Sequence, residues 1–459
     1  MPLYCKNSRQ ECGEPCKMMT RNKTSDPHQG DLFKVFLRDL VDPAHPMVRL
    51  ADQVDWNQFE EALAPVFADE QGRPSADVRL VIGLMYLKYA YDLSDADVVE
   101  FWVENPYWQY FTGAVFFEHR PPIDPSSLTN WRKRIGEAGA EQMLAETLRT
   151  GLKTKMIRPK DLKRVNVDTT VQEKEIRFPT DARLYHRSLE VLVRLAKRHG
   201  IGLRQTYVRV AKKSMLKLGG YAKARQFKRA KRETKFLRTR LGRVLRDFQG
   251  KAPNEVRQEY QVLLDRIERI RTQQRHDKRK VYSVHAPEVE CIAKGKVHKP
   301  YEFGVKVGLV STSKGNWIVG AKAFPGNPYD GHTLQGSLEQ AERLMGAIPE
   351  MACCDLGYRK SGYEGPCDIQ VVNRFRKRLP GPLRKWWKRR SAIEPVIGHV
   401  KSDCRGNRNR LKGSDGDKVN AILAAAAYNF RKLMKGLALL LRLLLNAFRF
   451  VPTPLPKAA

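Results

Sequence analysis

The chain has 459 residues, with 84 Lys and Arg against 50 Asp and Glu, a formal charge of +34. Repulsion on that scale calls for a polyanionic partner, and a composition that is 42% hydrophobic excludes a disordered basic tail. Length argues for two or three domains, eight cysteines behind an N-terminus with no apolar leader argue for reduced thiols, and no apolar run reaches the ~20 residues of a membrane span.

The first 72 residues read as an irregular N-terminal segment. Cys5, Cys12 and Cys16 sit close together there, but their spacing fits no common zinc pattern, and a fourth ligand such as His28 would have to join them. From Pro74 the text turns helical. "PSADVRLVIGLMYLKYAYDLSDADVVEFW" carries apolar residues at helical spacing, with Ser75 expected to cap the first helix and Ser94 the second. A third helix, "LTNWRKRIG", is expected to start at Ser126 or Ser127 and to present Asn130, Arg132, Lys133 and Arg134. Three helices ending in a basic one predict a helix-turn-helix-like DNA-binding unit over 73–150; the other reading is a packing or dimerisation unit, with Trp102, Trp108 and Trp131 in its core.

"RVNVDTTVQ" reads as a β-branched strand, unusual in holding Asp168 at mid-strand, where an acid either faces solvent or is placed for chemistry. A basic helical stretch follows. Residues 201–250 alone hold 16 Lys and Arg and two acids, and "FKRAKRETKFLRTRLGRVLRDF" sets Phe227, Ala230, Leu237, Leu241, Val244, Leu245 and Phe248 on one helical face. The other face, with Lys228, Arg229 and Arg232, is expected to meet phosphate.

Sheet grammar returns in "PYEFGVKVGLVSTSKGNWIVGAKAFPG", two strands joined at a Lys-Gly-Asn turn. A loop and helix follow in "GNPYDGHTLQGSLEQAERLMG", then a strand ending at Asp355, another in "CDIQVVNRF", and one helix over "WWKRRSAIEPVIGHVKSD" carrying Glu394. The order predicts a mixed α/β sheet with a helical insertion after its first strand.

Asp168, Asp355 and Glu394 occupy the places where such a sheet gathers an active site. Each has a plainer reading alone: a turn cap for Asp168, a helix cap for Asp355, an i−4 ion pair with Arg390 for Glu394. Carboxylates brought together repel unless cations intervene, and Mg²⁺ takes such oxygen ligands together with substrate phosphate. Two ions ~4 Å apart would serve both sides of a phosphodiester.

"RRSAIEPVIGHVKSDCRGNRNRLKGSDGDKVNAILAAAAYNFRKL" resembles the C-terminal signature of bacterial insertion-sequence DDE transposases, particularly insertion sequence family five. "VNVDTTVQEKEIRFPTDARL" and "ACCDLGYR" resemble the family's first and second aspartate blocks. The resemblance implies an RNase-H-like core with catalytic and metal-binding Asp168, Asp355 and Glu394, holding two Mg²⁺ ions for which Mn²⁺ can substitute. It implies cleavage of double-stranded DNA at terminal inverted repeats, strand transfer into target DNA, a homodimer on paired ends, and a place at the nucleoid of the bacterial cytoplasm with no membrane partner. Related enzymes carry Tyr, Arg, Glu and Lys at fixed spacing near the third acid; this chain has Arg390, Glu394 and Lys401 there, with Trp387 at the tyrosine position. Arg390 and Lys401 are then expected on phosphate and the Trp387 indole on an unpaired base. His332 in "YDGHTL" lies in a loop common to the family and has a structural or a catalytic reading. The implied divisions are 73–150 for DNA binding, 151–180 and 298–435 for the core, 181–297 for the insertion and 436–459 for a C-terminal helix and tail. Two other readings share the basic surface: a non-catalytic DNA-binding regulator derived from such an element, and a metal-dependent DNA nuclease.

Overall fold

The computed structural model describes residues 19–20, 35–64, 73–293, 299–372 and 380–449, so the N-terminal cysteine group lies outside the described residues. Seven strands form one mixed sheet: β1 (Arg164–Lys174), β2 (Glu290–Ala293), β3 (Tyr301–Thr312), β4 (Ile318–Phe324), β5 (Met351–Cys354), β6 (Asp368–Val371) and β7 (Arg408–Asn409). β3 and β4 are the predicted hairpin, turning through left-handed Gly315 and Asn316. β3 runs antiparallel to β1 from Val165↔Thr312 to Glu173↔Gly304. At Gly304 a Cβ would lie 1.9 Å from the Gln172 carbonyl oxygen, so only glycine lets the two strands approach this closely.

On its opposite edge β1 is covered only at its ends. β5 pairs in parallel with Arg164–Asn166 and β7 with Glu173 and Lys174, and β6 extends the sheet beyond β5. Between those two pairings the edge of β1 is open, and Asp168 stands in the opening. The half-burial of Asp168, Thr169 and Thr170 follows from this gap.

The helices of 73–150 do not stand apart from the sheet. In α1 (Val78–Ala90) every residue except Arg79 and Leu80 is buried, the signature of a core helix. Its residues join one hydrophobic core with Val165, Ile318 and Ala425 of the long helix Gly413–Arg449. Asn429 of that helix, fully buried, closes the edge of β4 by accepting from the Ile318 N–H at 3.0 Å and donating to the Ile318 carbonyl at 2.8 Å. Caps differ from expectation at two of three starts. Asp77, two residues after Ser75, caps α1 by accepting from the Leu80 N–H, and Asp124, ahead of both serines, caps α3 (Pro125–Lys153) by accepting from the Ser126 N–H. Ser94 caps α2 (Asp95–Glu104) in a reciprocal capping box with Asp97.

α3 is longer than the short basic helix predicted. It breaks at Gly136, whose φ of 56° and ψ of −154° only glycine adopts readily, and continues to Lys153. Arg132 is not offered to DNA: it is 4% exposed, and its two terminal nitrogens lie 2.7 and 2.6 Å from the Asp95 carboxylate, which also takes Lys88 at 2.6 Å. Asn130 and Lys133 are exposed and Arg134 is half-buried. Replacing Asp95 by alanine strands two buried cations. We expect a loss of about 3 kcal/mol in unfolding free energy, at the lower end for a broken buried pair because Lys88, already pushed down to about 8 by burial, can shed its proton. Chemical denaturation measures it.

The insertion has its own core. Leu189 and Leu192 of α4 (Asp181–Arg198), Ala211 of α5 (Val208–Lys223), Leu237, Leu241 and Phe248 of α6 (Phe227–Lys251) and Ile267 are all buried together. The predicted apolar stripe of α6 holds from Leu237 to Phe248, while Phe227 is 68% exposed among the exposed cations Lys228, Arg229 and Arg232. Lys174, at the end of β1, ties the insertion to the sheet: its Nζ lies 2.8 Å from Glu288 and 2.8 Å from Asp417, all three side chains largely buried. Asp417 also accepts from Asn409 of β7 at 2.6 Å.

The segment predicted as one helix around Glu394 is two, Gly381–Arg389 and α8 (Ile393–Asp403), joined by a 3-10 turn over Arg390–Ala392. The final helix runs unbroken from Gly413 to Arg449, through the expected boundary at 436. Among the described residues no helix is long and apolar enough to cross a membrane.

Candidate active site

Parallel pairing of β1 with β5 sets Val165 opposite Ala352 and Asn166 opposite Cys353. Continuing that register by two residues puts Asp168 opposite Asp355, where β5 ends and the gap begins. Neighbouring strands lie ~4.8 Å apart, so two residues 187 positions apart in sequence become neighbours. Asp355 caps a short 3-10 turn, its Oδ1 accepting from the Gly357 N–H at 2.9 Å, as its cap reading foresaw. Its Oδ2 has no hydrogen-bond partner among the described residues. Asp168 Oδ1 accepts from the Thr169 N–H at 2.8 Å.

The third acid arrives from α8. Asn166 donates to the Arg389 carbonyl at 3.3 Å, and Arg389 Nε donates to the Ser313 carbonyl at 2.6 Å, so the 3-10 turn is pinned across the first strand. Arg390 Nη2 then lies 3.4 Å from Asp168 Oδ2 and 3.7 Å from Glu394 Oε1. A single guanidinium nitrogen thus spans the two acids and keeps them within the sum of those distances. Glu394 itself is 65% exposed, and its ion pair with Arg390 is the plain reading of the sequence. Arg390 Nη1 is buried and has no hydrogen-bond partner among the described residues.

Other expected positions fall differently. Trp387 is 7% exposed, so its indole is packed in the protein instead of presented to a base. Lys401 lies on α8, and His332 is exposed with its ring edge-on to Tyr329 at 5.5 Å. Asp330 was passed over in the sequence. It lies beside Asp355 at Gly357, where a Cβ would sit 3.0 Å from Asp355 Oδ1 and 3.2 Å from Asp330 Oδ2. It also accepts from Thr169 Oγ1 at 2.9 Å and pairs with Lys306 at 2.9 Å. The signal available was its place in the same "YDGHTL" loop, two residues before His332.

The donor set is all oxygen, which suits a hard divalent cation, and Asp355 keeps one carboxylate oxygen beyond its cap bond. Among the described residues no three His, Cys, Asp or Glu side chains are drawn together as a ready-made cage. Cys353 and Cys354 just before Asp355 are buried free thiols; burial pushes Cys353 up to about 11 and Cys354 higher still, so neither supplies a thiolate nucleophile near neutral pH.

Residues 35–134 match the family described as "Transposase domain (DUF772)", and residues 258–430 match "Transposase DDE domain". The second match contains Asp355 and Glu394; Asp168 lies on its N-terminal side, beyond the insertion helices. An "Uncharacterized protein ORF8 in nfe locus" of Rhizobium meliloti is 51% identical over 207 residues, 45% of this chain and the whole of that protein. No solved structure matches. The chain belongs to the bacterial insertion-sequence DDE transposases, a family of DNA-cleaving and strand-transferring enzymes that generally use divalent metal ions.

Proposed function

We propose that this chain cuts duplex DNA at terminal inverted repeats and joins the freed 3′ hydroxyls to target DNA, on an RNase-H-like core whose reactive acids are Asp168, Asp355 and Glu394. The observation that supports the reading is the parallel pairing of β1 with β5, which runs to Asn166↔Cys353, two residues short of Asp168 and of Asp355. Asp168 and Asp355, with Glu394 as third ligand, would hold two Mg²⁺ ions, or Mn²⁺ in their place. Bound there, divalent cations activate the attacking hydroxyl and stabilise the leaving oxygen of the phosphodiester. The protein's own part is to hold the strand. Arg390, whose Nη2 spans Asp168 and Glu394, would exchange one of those acids for a phosphate oxygen of the strand, and Lys401 would add a point charge along α8. Exposed Lys228, Arg229 and Arg232 supply phosphate contacts on the insertion, and Asn130, Lys133 and Arg134 on α3. Bringing two ends together calls for a homodimer, and the family-five signature around Glu394 supports placing the element in that group.

The test is a duplex carrying the inverted repeats that flank the gene for this chain. With Mg²⁺ we expect nicks at the repeat ends leaving 3′ hydroxyls, followed by joined products, and neither in EDTA. Binding without cleavage would favour the regulator, and cleavage indifferent to the repeats with no joining would favour the nuclease.

A further inference from the structure

One groove takes no lining residue from the three acids. A groove of about 1070 Å³ opens between the segment after β1, helices α4 and α5, and residues 282–285. The strand holding Asp168 runs straight into its wall: Glu175, the first residue past β1, lines the groove, roughly 20 Å from Asp168 at ~3.3 Å per residue.

Its chemistry is cationic and aromatic. Arg177, Arg183, Arg187, Lys212 and Arg408 line it. The two acids on its wall are already engaged, Glu175 by Arg408 at 3.4 Å and Glu190 by Arg187 at 3.0 Å. Arg177 and Lys212 are exposed and make no ion pair among the described residues. Phe178 is 57% exposed and sits edge-on to Phe303 at 5.3 Å, and Tyr282 is tilted against the same Phe303 ring at 5.4 Å. The Phe178 loop is fixed by Arg183, whose Nη1 donates to the Phe178 carbonyl at 3.1 Å. On the wall, His186 has a buried Nε2 with no hydrogen-bond partner among the described residues.

We propose that this groove binds unpaired nucleotides of a DNA strand leading to or from the acid site. An exposed ring held in place offers a stacking face to any base, and exposed Arg177 and Lys212 offer charge to the backbone. A duplex keeps its bases stacked inside and cannot use the ring. The inference rests on the transposase reading above, since it supplies the DNA end, but it concerns a site separate from the three acids.

Binding to wild type and variants is measured in EDTA, so that no cleavage intervenes, with two fluorescent probes: a short oligothymidylate and a fully paired inverted-repeat duplex. Phe178→Ala should weaken the oligothymidylate about tenfold or more and leave the duplex unchanged; the ring is largely exposed, so folding is spared. Arg177→Gln combined with Lys212→Gln should flatten the salt dependence of oligothymidylate binding. Unchanged oligothymidylate affinity in Phe178→Ala, or equal losses on both probes, overturns the proposal. A wild-type chain that binds the duplex but not the oligothymidylate overturns the groove alone, and one that binds neither overturns the transposase reading with it.

Discussion

Asp355→Asn leaves the folded protein and its grip on inverted-repeat DNA intact while cleavage and joining fall by about a thousandfold or more. The substitution separates charge from shape. Asn keeps an Oδ1 that can accept from the Gly357 N–H, the 2.9 Å bond that caps the 3-10 turn, so β5 and the turn after it stay in place. What is lost is the carboxylate charge, one oxygen giving way to a neutral amide nitrogen that cannot ligate a hard cation. Cation stabilisation of a phosphoryl transition state amounts to several kcal/mol, and about 1.4 kcal/mol is a decade in rate. Gel-shift binding, thermal unfolding and a nicking assay on the same preparation check all three limbs. Retained strand transfer would remove Asp355 from the chemistry, and lost binding would make its role structural.

The second large effect is on stability, at Lys174. Its ammonium sits 2.8 Å from both Glu288 and Asp417. Lys174→Met fills the space but leaves two carboxylates close together in a poorly solvated site. Burial already raises Asp417 above the ordinary carboxylate range even with its cation present. Breaking a buried ion pair by removing one partner costs about 3–5 kcal/mol, and two stranded like charges argue for the top of that range. Urea unfolding should show a loss of about 5 kcal/mol at neutral pH. The loss should shrink in acid, where protonating both carboxylates relieves the repulsion, so a variant equally destabilised at pH 4 and pH 7 would refute the electrostatic account.

The elements that carry the three acids were legible because strand and helix patterns are local: Asp168 lies in a strand, Asp355 just past the end of one and Glu394 on a helix, as the sequence predicts. The hairpin and the insertion were legible for the same reason, since alternation and helical spacing are local. What escaped depends on partners remote in sequence. Arg132 looked like a groove-reading cation because nothing near it announces Asp95, 37 residues upstream. Trp387 looked available for stacking because the packing that covers it is tertiary. Asp330 is functional in appearance only beside Thr169 and Lys306, which lie on other strands. The burial of α1 is legible in "VRLVIGLMYLKYA" itself, since a helix apolar on nearly every side packs inside a protein.

Residues 181–284 carry a self-sufficient interior, and the chain enters and leaves them at one end of β1, where Lys174 gathers the returning segment. Entrance and exit so close together make the unit a cassette in evolutionary terms. A unit joined to the rest in this way can be lengthened, trimmed or exchanged without moving the strand that carries Asp168.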